Sequence, residues 1–191
     1  MNLTIDMWSS NARHWEKILA PYKDKPITYL EIGSYEGASL CWVMENIATH
    51  PDSRAIAVDT WDVVPDWTEH TAEQWRAVFD RWKANTAPWR GRIVALRGDS
   101  AVQLALVQST GWDLDVAYID GSHRALACLT DMCLAWRLLK PGGTMIVDDV
   151  LYWSAPDTWE PHDSPATACD AFALIVGREG RMHGGQMVWV K

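Results

Sequence analysis

Two spacings of apolar residues alternate from one end of this 191-residue chain to the other. Short apolar runs at 27–32, 54–58, 92–96, 116–119, 144–147 and 186–190 have strand length and are bounded by turn residues. Between them the spacing becomes helical. Ala12, Trp15, Ile18 and Leu19 share one face after Ser9 or Ser10, and residues 39–47 are so apolar that their helix should be buried. Thr71-x-x-Gln74 reads as a capping box ahead of a Trp75, Val78, Phe79, Trp82 stripe. Further helices are expected through 102–107, at Leu126, Leu129, Cys133 and Trp136, and around 166–176. Strands alternating with helices predict a doubly wound, mostly parallel sheet with helices on both faces.

The span 115–150 carries the most information. A strand ends at Asp120, a helix follows, Lys140-Pro-Gly-Gly143 stops it, and a second strand ends at Asp148 and Asp149. A βαβ unit of this kind has parallel strands and a right-handed crossover, so the strand ends meet at one edge about 4.8 Å apart. Carboxylates crowded together are costly unless a cation, a proton or a polar ligand meets them. Glu31, Asp59 and Asp99 close or follow other strands on the same edge, where ligands of such sheets bind.

Composition narrows the possibilities. A net charge of -8 argues against general nucleic-acid or anionic-membrane binding. No apolar run is long enough to span a bilayer, and the first residues lack a signal-peptide pattern, so a cytoplasmic location is expected. Cys41, Cys128, Cys133 and Cys169 show no metal or redox spacing and read as reduced core thiols. The anomaly is thirteen Trp against two Phe.

The loop Glu31-x-Gly33-Ser34-x-x-Gly37 follows a strand and opens a helix. A dinucleotide fingerprint would place Gly at position 31; a carboxylate there disfavours a pyrophosphate and favours a ligand with an amine and hydroxyls. This loop, Asp59, Gly98-Asp99-Ser100 and Lys140-Pro-Gly-Gly143 occur in the order found in class I S-adenosylmethionine-dependent methyltransferases, which the chain resembles over roughly 27–150. The resemblance implies a Rossmann-like, seven-stranded sheet in a single domain, residues 1–191. It also implies S-adenosylmethionine as cofactor. Gly33, Ser34 and Gly37 would line its methionine, Glu31 would hold the amino group, Asp59 the ribose hydroxyls, and Asp99 and Ser100 the adenine.

Ile119-Asp120-Gly-Ser-His123 with Asp148-Asp149 looks like the metal-dependent small-molecule O-methyltransferases of catechol and macrolide-sugar type. That likeness implies Mg2+ held by Asp120, Asp148 and Asp149, with Asp120 also beside the cofactor. His123 falls where the catechol type has a lysine base; an imidazole of pKa about 6.5 can take a proton at neutral pH, and His162 is a second candidate. The implied acceptor is a hydroxylated small molecule, phenolic or sugar-containing, under a lid from the N-terminal helix and the 60–90 and 151–165 segments. Trp61 would stack near the adenine, and Trp67 or Trp153 would wall the acceptor pocket. Packing against the sheet or a partner subunit is the expected role of Trp75 and Trp82, and it competes closely with the pocket reading at Trp61 and Trp153. A metal-free or N-methylating relative, and a non-catalytic cofactor-binding protein with a Trp-rich interface, remain open.

Overall fold

The computed structural model describes residues 1–64, 70–151, 160 and 162–191. Its seven strands are β1 (Thr28–Ile32), β2 (Arg54–Asp59), β3 (Ile93–Arg97), β4 (Leu114–Ile119), β5 (Leu139–Val147), β6 (Arg181–His183) and β7 (Gln186–Val190). They form one sheet in the order β3-β2-β1-β4-β5-β7-β6. The first five are mutually parallel, and β7 runs antiparallel to both β5 and β6. This is the expected Rossmann-like α/β sheet. Its switch point lies between β1 and β4, which pair from Tyr29↔Val116 to Ile32↔Ile119.

Strand alternation sorts the two faces. Tyr29, Val116, Tyr118, Ile146 and Val188 face helices α1 (Ala12–Ile18), α2 (Ala38–Asn46) and α3 (Ala72–Thr86). Leu30, Ile32, Ala117, Ile119, Val147 and Trp189 face α4 (Ser100–Ser109), α5 (Ala125–Leu138) and α6 (Pro165–Val176). A period of two places i and i+2 on one side, so Glu31 follows Tyr29 and Asp120 follows Tyr118 on the α1–α3 face.

Local chemistry sets several boundaries. The capping box forms: Thr71 Oγ1 accepts from Gln74 N–H at 3.3 Å, and Thr71 N–H donates to Gln74 Oε1 at 2.7 Å. Asp99 and Ser164 cap α4 and α6. The turn expected at 140–143 is instead the start of β5, because Gly142 and Gly143 exchange hydrogen bonds with Lys191 at 2.9 Å. The edge strand β6 is too short to show in the apolar pattern.

The tryptophans are mostly interior. Trp8, Trp15 and Trp42 pack together with Trp15 edge-on to Tyr118, and Trp61 packs against both Phe79 and Trp82. The described part of the 60–90 segment contains helix α3, with Trp75, Val78 and Trp82 buried. Trp67, Trp153 and most of 151–165 lie outside the described residues. Among the described residues the cysteines are unpaired, and no helix is long and apolar enough to cross a membrane.

Candidate active site

The ends of β1, β2, β4 and β5 are stitched into one ledge. Gly33 N–H donates to Val58 O at 2.9 Å, Asp120 N–H to Ile32 O at 2.8 Å, and Asp148 N–H to Ile119 O at 2.9 Å. Gly33 crosses this ledge at φ +82°, so close to β4 that a Cβ would lie 1.8 Å from the Asp120 carbonyl oxygen. Only glycine fits there.

Beneath the loop, Glu31 is wholly buried and accepts from Tyr29 Oη at 2.7 Å and Ser34 Oγ at 2.6 Å. Ser34 Oγ in turn accepts from Trp82 Nε1 at 2.9 Å. Burial lifts the Glu31 carboxyl to about 7 against the pull of Ser34, Tyr29 and Ser39. Its folded value lies above the ordinary value of 4.5, so the folded chain holds the proton more tightly. Stability is therefore fully retained below pH 4.5 and declines as the pH rises to about 7. Glu31→Gln should then gain about 3 kcal/mol over the unmodified chain at pH 8 and nothing at pH 4.5. Urea unfolding at the two pH values measures this; an equal gain at both would remove the burial explanation.

Asp59, expected at the ribose, already receives three backbone N–H groups. Ser34 and Tyr35 donate to Oδ2 and Trp61 to Oδ1, each at 2.8 Å. It holds the Gly33 loop, and Oδ1 keeps a lone pair for a further donor. Burial raises its pKa against these bonds. Trp61, expected to stack near an adenine, is fully buried and packs against Phe79 and Trp82 of α3, so it offers no exposed ring face. Asp99 Oδ1 accepts from Val102 N–H at 3.1 Å as the α4 cap, away from the cleft described below. Gly37 caps α2 at φ +83°.

The acid cluster also differs from the sequence pattern. Asp148 lines the cleft but is tied to its neighbours: Oδ2 accepts from Gln186 Nε2 at 2.7 Å and meets Tyr118 Oη, and Oδ1 accepts from Asp149 N–H at 2.8 Å. Trp15 Nε1 donates to Gln186 Oε1 at 2.7 Å, which fixes which end of the amide faces Asp148. Among the described residues, the groups whose ligand atoms lie within 4.8 Å of one another are Asp120, His123 and Asp149, two of the three acids expected to converge. His123 Nε2 is 2.9 Å from Asp149 Oδ2, and Asp149 adopts φ +56°, a left-handed conformation that is uncommon outside glycine.

Tyr118 Oη stands 2.9 Å from Asp120 Oδ2 while also meeting Asp148. A phenol has one proton and cannot donate to two ionised carboxylates. Three donors favour the ionised form of Asp148, so the crowding bears most on Asp120, which a proton or a bound cation would relieve. Burial, then Asp148 and Asp149, push the Asp120 carboxyl well above the carboxylate range.

Three features had no signal in the local pattern. Glu36 is buried and accepts from Thr4 N–H at 2.6 Å, Thr4 Oγ1 at 2.7 Å and Arg81 Nε. It fastens the segment ahead of α1 to the glycine loop. That segment, through Leu3, Ile5, Met7 and Trp8, walls a small cleft of about 60 Å³ also lined by Gly33, Tyr118, Asp120 and Asp148. Asp131 on α5 is buried beside Ser100, and burial lifts it to about 7. His162 is exposed and outside the acid cluster.

A glycine loop, buried acids and a cleft at the switch point stand where α/β sheets bind their ligands. Residues 30–150 match the methyltransferase-domain family, and the chain belongs to it. An uncharacterized protein, R132, of Acanthamoeba polyphaga mimivirus is 23% identical over 151 residues, covering 79% of this chain and 62% of the viral protein. The O-methyltransferase TomG from Streptomyces achromogenes, involved in tomaymycin synthesis and solved with SAM, superposes with a TM-score of 0.69 at 17% identity, over 97% of this chain and 82% of TomG. MycE, a methyltransferase of the mycinamycin biosynthetic pathway solved with Mg, SAH and mycinamycin VI, gives 0.66 at 16% identity, over 98% of this chain and 50% of MycE. The chain thus spans under two thirds of the viral protein and half of MycE. At these identities the structural likenesses are likenesses of fold.

Proposed function

We propose that residues 1–191 act as one S-adenosylmethionine-dependent O-methyltransferase domain, methylating a hydroxyl of a phenolic or sugar-containing small molecule with a divalent cation. The observation that carries this reading is the meeting of Asp120, His123 and Asp149 beside the Gly33 loop, with ligand atoms within 4.8 Å. When bound, the sulfonium supplies the methyl group and the cation polarises the acceptor hydroxyl. The donor set fits such a cation: two carboxylates suit Mg2+, and the imidazole extends the fit to later first-row ions.

The chain's own groups supply the rest. Glu31 and its hydroxyl partners receive the ammonium of the methyl donor, Gly33, Ser34 and Gly37 shape the methionine side, and Asp59 Oδ1 accepts from a ribose hydroxyl. Asp99 and Ser100 stand at the adenine end. The apolar wall of Leu3, Ile5, Met7 and Trp8 excludes water and suits an acceptor with an apolar body. Holding both reactants in line removes much of the entropic barrier. The natural-product roles of MycE and TomG support this acceptor class.

One observation favours a metal-free variant of the same reaction: His123 and Asp149 already form a pair at 2.9 Å. A carboxylate so placed orients an imidazole base and stabilises its protonated form. Calorimetric titration with S-adenosylmethionine, in Mg2+ and in EDTA, followed by turnover with a catechol, separates the readings. The metal reading expects EDTA to abolish turnover; EDTA-insensitive turnover assigns the pair as base. Absence of any S-adenosylmethionine binding overturns both. The non-catalytic alternative loses its main support, since Trp61, Trp75 and Trp82 are core residues with no surface to offer a partner.

A further inference from the structure

A second hollow, of about 430 Å³, shares no lining residue with the cleft at Gly33. It lies on the α1 side of the sheet, over β6 and β7. Gln186 bonds to Trp15 of α1, so its alternate neighbours Val188 and Val190 face the same way. Arg181 and His183 of β6 sit opposite Val188 and Gln186, which turns them to that face as well. Lys17 and Ile18, at the end of α1, form the facing wall. The floor is apolar, and Val190 remains 57% exposed on it.

The charge of this hollow runs against that of the chain. The whole sequence has 25 acids to 17 Lys and Arg, whereas Lys17, Arg178, Arg181 and His183 line the hollow with Glu179 as their one acid. Among the described residues none of Lys17, Arg178 and Arg181 ion-pairs with an acid. Arg178 is held at the rim, its Nη1 donating to Val190 O at 3.2 Å, and that bond uses one of five guanidinium N–H groups. Cations gathered around a concave wall focus their field and concentrate anions there. Arginine forks match the oxygens of phosphate and carboxylate groups. Two arginines and a lysine suit a dianion, since a lone carboxylate would leave most of these donors unmet. The apolar floor adds a second requirement, an apolar body attached to the anion, and the volume is that of a small-molecule site.

We infer that this hollow binds a small phosphate monoester with an apolar or aromatic body. Lys17, Arg178 and Arg181 meet the phosphate, and Ile18, Val188 and Val190 receive the body. The site is independent of the methyl-donor reading, because the two hollows are built from different residues.

Calorimetry with phenyl phosphate tests the assignment. The unmodified protein should bind it, and Arg181→Gln should weaken that binding by about 10- to 100-fold. Arg137→Gln removes the same charge from the exposed surface of α5, on the other face of the sheet, and should leave binding within about twofold. Inorganic phosphate, which leaves the apolar floor uncovered, should bind about 10-fold more weakly than phenyl phosphate. No binding of phenyl phosphate, equal weakening by the two substitutions, or inorganic phosphate bound as tightly each overturns the inference. A hexaglutamate peptide bound more tightly than phenyl phosphate also overturns it, and makes the hollow a dock for an acidic partner. If Arg181→Gln does not fold, imidazole 15N–1H spectra of the unmodified protein provide the second measurement. The His183 signals should move with phenyl phosphate while those of His50, ahead of β2, stay in place; an unmoved His183 overturns the site. Binding of S-adenosylhomocysteine, measured separately, reports on the methyl-donor reading and not on this one.

Discussion

Asp120→Asn should lower methyl transfer to a catechol by roughly 10³-fold while making the protein more stable. Asp120 is one of three groups whose ligand atoms converge within 4.8 Å, and its carbonyl oxygen abuts Gly33. Asparagine keeps the shape but cannot hold a cation as a carboxylate does. The stability gain follows from the direction of its pKa. Burial and the neighbouring Asp148 and Asp149 raise the folded value well above 3.8, so at neutral pH the ionised form is a cost that an amide avoids. Each 1 kcal/mol recovered appears as a rise of roughly 2–4 °C in Tm at this chain length. Opposite changes in activity and Tm mark a residue retained for chemistry. Unchanged turnover, or a fall in Tm with lost activity, would show that Asp120 is structural.

The second large effect concerns Gly33→Ala. The added Cβ meets backbone, with the Asp120 carbonyl oxygen at 1.8 Å and the Gly121 nitrogen at 2.9 Å, and φ is +82°. Neither side can move readily, since Gly33 N–H is bonded to Val58 O at 2.9 Å and Asp120 N–H to Ile32 O at 2.8 Å. A loss of about 4 kcal/mol is expected, together with loss of S-adenosylhomocysteine binding. Gly111→Ala is the control: φ is +73° but nothing lies within 4 Å of its Cβ, so it costs about 1–2 kcal/mol of backbone strain alone. Denaturant unfolding of the pair decides the point, and equal losses would mean that the close approach at the switch point is unimportant.

Glu31, Asp59, Asp120, Asp148 and the Gly33 loop were legible as one edge because each follows a strand, and parallel strands end together. The right-handed crossover of 115–150 needed only the apolar period and the Lys140-Pro-Gly-Gly143 stop. Trp75, Val78 and Trp82 were legible as a buried stripe, but not where that stripe packed. Trp61 lies buried against Phe79, and a tryptophan two residues past a strand-ending acid looks alike in sequence whether it faces a ligand or the core. Trp153 lies outside the described residues.

By itself the sequence determined which residues reach the carboxyl edge of the sheet, since a period of two and a period of 3.6 fix faces and ends without knowledge of distant neighbours. It could not determine which side chains come together there. Gln186, oriented by a Trp15 lying 171 residues away in sequence, ties up Asp148, while the ligand atoms of Asp120, His123 and Asp149 converge. Glu36 and Trp8 acquire their places in the same way, through Thr4, Arg81 and a ring of tryptophans. Hydrogen-bond partners far apart along the chain leave no local periodicity, so only the tertiary structure can choose among the side-chain directions that the pattern allows.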